Sequence, residues 1–123
     1  MRSRNLKFWL LNAICGLLLL VLAGTHLSMF HLDDVMASLL NNSTEPLAWE
    51  RVSARGASIA YALVYILMLG TALFHGFYGL HTVLTEVWSG KRAVALVNFV
   101  CWFAGLGLFA IGTVAAISFH VML

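Results

Sequence analysis

The sequence predicts an all-α membrane protein that crosses the bilayer with three helices, and three observations predict it. Only 10% of the 123 residues are charged and 62% are hydrophobic, whereas a soluble domain carries about 25% charged residues. A chain this short has too much surface to hide that deficit in a core of its own, so much of the surface must face lipid. Three apolar runs each exceed the roughly 20 residues that cross about 30 Å of hydrocarbon. The chain also holds 10 glycines and one proline, a composition suited to helices that pack closely within a membrane.

The first span runs from Phe8 to about Phe30. Arg2, Arg4 and Lys7 precede it, as basic residues precede a signal peptide's apolar core. The run is longer than the roughly 7–15 residues of such a core, however, and no A-x-A-like site closes it. Ile14 before Cys15 makes a poor lipoprotein box, so the segment reads as an uncleaved span. The stretch 31–55 reads as an outer loop holding Asp33, Asp34, Glu45 and Glu50, four of the five acids. Within it, Asp33 to Leu40 predicts a short interfacial helix opened by the Asp pair. Asn41-Asn42-Ser43-Thr44 followed by Pro46 predicts a turn. The second span runs from Gly56 to about Trp88. Ser89-Gly90-Lys91-Arg92 is a tight connection with Gly90 as a helix stop, and the third span runs from about Ala93 to Met122. These two spans are long enough to tilt or to project beyond the bilayer. Residues 1–123 form one transmembrane domain without internal repeats.

Charge sets orientation and excludes one class of partner. Arg2, Arg4, Lys7, Lys91 and Arg92 lie on one side, and Arg51 and Arg55 on the other. This bias places the N-terminus and the second connection in the cytoplasm, with the acidic loop outside. The formal net charge is +2, and no basic cluster exists away from the helix ends, so nucleic acid is not expected as a partner. Cys15 and Cys101 lack neighbouring ligands and read as small core residues. Trp9, Trp49 and Trp88 read as interface anchors.

Polar groups within lipid are expensive and mark function. No span has Lys, Arg or Asp in its central part, which argues against a proton or ion path and leaves the five histidines. Imidazole suits haem iron. His26 lies outward of the middle of span one and His75 inward of the middle of span two, about 15 Å apart along the normal at 1.5 Å per residue. Two stacked haems would fit that spacing. Ala72, Gly76 and Gly79 border His75 with a shallow groove, and Gly79 shares its face at i+4. Ala23 and Gly24 do the same, more weakly, for His26. The competing reading for both is helix packing through small residues, with the imidazole bonded to a neighbouring helix. His31 reads as a headgroup contact and His120 as a favourable charge at a helix C-terminus. His81 either touches a haem propionate, lines a quinone pocket or packs at the interface. Tyr78 either donates to a bound cofactor or packs in the core.

The stretch Phe74-His75-Gly76-Phe77-Tyr78-Gly79-Leu80-His81-Thr82-Val83-Leu84-Thr85-Glu86 resembles the second-helix motif of the membrane anchors of succinate dehydrogenase and fumarate reductase, respiratory complex II. Leu11-Asn12-Ala13-Ile14-Cys15-Gly16, with His26 further on, resembles the first helix of the dihaem, menaquinone-linked anchors. The resemblance covers most of the chain. It implies a multi-pass subunit of the cytoplasmic membrane that holds haem b and forms a site for menaquinone or ubiquinone. It also implies a flavoprotein and an iron–sulfur subunit as cytoplasmic partners. His26 and His75 then correspond to the ligands of the outward and inward haems. Glu86-Val87 stands where many single-haem anchors have Asp-Tyr, which favours a dihaem or menaquinone-linked relative. The His-Arg or Ser-x-x-x-Arg usual near the first helix is absent, with Asn12 in that region.

Low-spin haem needs two axial histidines at each level and this chain offers one, so either a second anchor chain or a homodimer must supply the others; a second, similar three-helix chain completing a six-helix bundle is the favoured expectation. The chain itself carries no dicarboxylate site. Two alternatives remain: a non-redox assembly or transport subunit, and the cytochrome b subunit of another respiratory enzyme.

Overall fold

The computed structural model describes residues 3–40 and 48–122. They form four helices: α1 (Ser3–Leu39), α2 (Trp49–Gly56), α3 (Ile59–Val87) and α4 (Lys91–Met122). Three stretches are long and apolar enough to cross a membrane: Leu6–Leu39, Ile59–Val87 and Lys91–Met122. The expected all-α architecture with three spans is therefore what the chain adopts.

The boundaries differ from expectation in three places. The interfacial helix expected at Asp33 does not exist as a separate element. Nothing between Phe30 and Leu39 breaks a helix, so α1 continues through the Asp pair, and the Leu40 N–H still reaches the Met36 carbonyl at 3.0 Å. With 37 residues, α1 is about 55 Å long and outruns the bilayer core. The expected turn at 41–44 and Pro46 lie outside the described residues.

Part of the expected outer loop is helical. Residues Trp49–Gly56 form α2, whose Glu50 in the first turn and Arg55 in the last complement the helix dipole. The Ser58 carbonyl then accepts from the Ala62 N–H at 3.2 Å, starting α3 just after α2 ends. Gly90 is not a stop for α3, which ends at Val87 with the Trp88 N–H bonded to the Leu84 carbonyl. Gly90 instead opens α4, its carbonyl accepting from the Val94 N–H at 2.9 Å.

The helices form a layer, not a closed bundle. Helix α3 packs against α1 on one flank and α4 on the other, while the backbones of α1 and α4 stay apart among the described residues. Small residues set the α3–α4 distance: a side chain at Gly112 would collide with Leu69 Cδ2. Few residues are buried, among them Ala62, Thr71, Val97 and Cys101. Thr71 satisfies its hydroxyl within α3, donating to the Leu67 and Met68 carbonyls at 2.9 and 3.0 Å. Many leucines and valines of the spans, with Phe8, Phe99 and Phe103, are exposed, as lipid-facing or partner-facing surface requires.

Candidate functional site: the interhelical imidazoles

His75 sits in the seam between α3 and α1. Its Nδ1 lies 3.1 Å from the Asn12 main-chain carbonyl. A carbonyl only accepts, so Nδ1 donates to it, and in a neutral ring the lone pair then falls on Nε2. The ring lies over Gly16, where a Cβ would fall 2.8 Å from Cε1, 3.0 Å from Nδ1 and 3.6 Å from Nε2. The interhelical hydrogen bond weighed for His75 is therefore present, and it occupies one nitrogen only. A histidine that ligates a metal commonly donates its other N–H to a carbonyl in this way. The groove expected beside it is open: a Cβ at Gly76 or Gly79 would meet nothing within 4 Å.

His26 is held by rings. It meets Phe30 edge-on at 4.9 Å and Tyr65 of α3 at 5.4 Å between centroids. A Cβ at Gly24 would meet nothing within 4 Å. Because Tyr65 precedes His75 by ten residues on α3, the two imidazoles are separated by about 15 Å along the helix axis.

His81 and Tyr78 lie elsewhere. They line a cavity of about 780 Å³ between α3 and α4, together with Phe74, Asn98, Cys101 and Trp102, and with Phe8 of α1 at its edge. Tyr78 stacks on Phe74 at 5.9 Å. His81 Nε2 is buried without a hydrogen-bond partner among the described residues, an arrangement that costs about 1–3 kcal/mol unless a ligand supplies one. The cavity is mainly apolar with a few polar groups, the chemistry of a site for a lipophilic ring bearing hydrogen-bonding atoms. Neither His75 nor Gly79 lines it. The five residues expected to touch cofactors thus divide into three places: His75 with Gly79 nearby, His26, and the pair Tyr78 and His81.

The other histidines serve differently. His31 is exposed. His120 Nδ1 lies 3.2 Å from the Gly56 carbonyl and joins the end of α4 to α2. Trp49 against Phe119 strengthens that junction, and the Arg55 guanidinium lies 4.8 Å over Phe30 of α1. Helix α2 thereby ties both flanks of the layer together at one end. Cys15 and Cys101 are free thiols. Among the described residues, no three His, Cys, Asp or Glu side chains are grouped to hold a bare metal ion.

One comparison with known proteins bears on this arrangement. Over 104 residues the chain is 28% identical to the succinate dehydrogenase hydrophobic membrane anchor subunit of Archaeoglobus fulgidus. The match covers 85% of this chain and 81% of that one. It supports an anchor role within a membrane enzyme complex. No family model and no solved structure matches the chain.

Sequence reasoning missed Gly16 and the Asn12 carbonyl as the seat of His75, and Asn98 and Trp102 as walls of the cavity. The register of α1 against α3 is the signal that finds the first pair. Once His26 is set beside Tyr65, moving ten residues back along α1 and ten forward along α3 brings Gly16 to His75.

Proposed function

We propose that this chain is a haem b-binding membrane anchor subunit of a succinate:quinone oxidoreductase or quinol:fumarate reductase. In that role it passes electrons between an iron–sulfur subunit and membrane quinone. The observation that carries the proposal is the setting of His75: half-buried between α3 and α1, its Nδ1–H donating to the Asn12 carbonyl, which leaves Nε2 for a ligand. Its likeness to a membrane anchor supports the same reading.

Haem b, when bound, supplies a reversible one-electron iron couple whose potential follows axial ligation and burial. His75 would hold it through Nε2, with the open backbone at Gly76 and Gly79 leaving room beside the ring. His26 would serve a second haem at the other level. A second anchor chain would supply the opposite ligands. The exposed apolar surfaces of α1 and α4 in this layer suit such a partner and a six-helix bundle. In the cavity, His81 and Tyr78 would hydrogen-bond the headgroup of menaquinone or ubiquinone entering from lipid. The Lys and Arg distribution puts the N-terminus of α1 on the cytoplasmic side, the end nearest Phe8 and the cavity, where the iron–sulfur and flavoprotein subunits would dock.

The test is the absorption spectrum of the purified complex after reduction. Reduced b-type bands that fall in His75→Ala, with co-purification of a flavoprotein and an iron–sulfur protein, are expected. One observation favours a second reading: His75 and His26 both make contacts that hold α1 to α3. On that reading the chain is a non-redox assembly subunit. A complex without b-type bands would establish it and end the first.

A further inference from the structure

Resting on the reading of His75 as an axial ligand, we propose that the Asn12–Gly16 turn of α1 is a positioning socket. It fixes which nitrogen of His75 faces iron and how far the ring stands from α1. Two observations place both halves of the socket on one helical turn. The Asn12 carbonyl accepts the Nδ1–H at 3.1 Å. Four residues on, Gly16 leaves the space that the ring occupies. A carbonyl has two lone pairs, so Asn12 can serve both the ladder of α1 and the imidazole.

The geometry leaves no slack. A Cβ at Gly16 would stand 2.8 Å from His75 Cε1, whereas nonbonded carbons settle at about 3.5–4.0 Å. Any side chain there must push the ring away from α1 by roughly 1 Å. That retreat lengthens the Nδ1–carbonyl contact from 3.1 Å past the roughly 3.2 Å reach of a good N–H···O bond. The ring then loses both the bond that selects its tautomer and the wall that sets its plane. Hydrogen bonding at the outer nitrogen raises the basicity of the ligating one, so its loss must show at the iron and not only in stability.

The test uses the whole complex with its partner chains. Gly16→Ala and Gly16→Val are compared with Gly107→Ala, a change on α4 where a Cβ meets nothing within 4 Å. The readouts are the g-values of the oxidised low-spin haems and their midpoint potentials. Gly16→Ala should move the signal of one haem and lower that haem's occupancy several-fold under gentle extraction, and Gly107→Ala should leave both haems unchanged. If Gly16→Val fails to accumulate, the Gly16→Ala and Gly107→Ala pair still decides. Unchanged g-values and potentials in Gly16→Ala, alongside loss of one haem in His75→Ala, would overturn the socket and leave the ligand standing. Retention of every haem signal in His75→Ala would overturn the ligand assignment and the socket together.

Discussion

Replacing His81 with phenylalanine should make the ligand-free protein more stable and abolish its stabilisation by quinone. The ring is nearly conserved in size, so packing against α4 changes little. What disappears is a buried Nε2 that finds no partner among the described residues. An unpaired buried polar atom costs about 1–3 kcal/mol, so His81→Phe should gain roughly that much, a 5- to 150-fold rise in the folded-to-unfolded ratio. The wild-type protein should instead recover the cost when a ligand bonds the nitrogen. At about 100 times its dissociation constant, a ligand adds about 2.7 kcal/mol to the folded state. Reversible unfolding in mixed micelles, with and without a short-chain quinone, measures both terms. The phenylalanine variant should start higher and gain little from quinone. A His81→Phe protein that unfolds more readily than wild type without ligand would refute the reasoning, because Nε2 would then have a partner that matters.

Three further outcomes are expected. His120→Ala removes the bond to the Gly56 carbonyl and should cost about 0.5–1.5 kcal/mol, with faster proteolysis between Ala48 and Ser58 at the loosened end of the layer. Gly112→Val should cost about 1–3 kcal/mol by overpacking against Leu69, and Leu69→Ala should relieve it, a coupling that a double-mutant cycle reads directly. Asn12→Leu should be neutral or stabilising, since the Asn12 side-chain oxygen is buried without a partner among the described residues while the carbonyl that holds His75 belongs to the main chain. Unchanged haem spectra in Asn12→Leu would locate the contribution in the backbone.

The spans were legible because lipid imposes a length and a composition that a few loop residues cannot disguise. Their ends were not. Asp33 and Asp34 read as the start of a new element, yet a helix stops only where a breaker or a competing hydrogen bond stops it, and neither follows Phe30. Residues 49–55 read as loop because their charges mark solvent, although Glu50 and Arg55 stand in the order that supports a helix. Counting along each span separates His26 from His75 along the helix axis, but it says nothing of their surroundings, because an imidazole's neighbours lie on another helix and depend on register. The groove was sought on α3, at Gly76 and Gly79, while the glycine that the ring touches is Gly16 on α1. Likewise, Tyr78 and His81 follow His75 closely in sequence, but they line the cavity against α4 while His75 turns toward α1.

Among the described residues the backbones of α1 and α4 make no close approach, and this bears on how the chain is made. Synthesis delivers α1 first, then α3, and only afterwards α4. The Asn12 and Gly16 contacts of His75 and the Phe30 and Tyr65 contacts of His26 all lie within α1 and α3. These contacts can therefore form while the last helix is still being inserted.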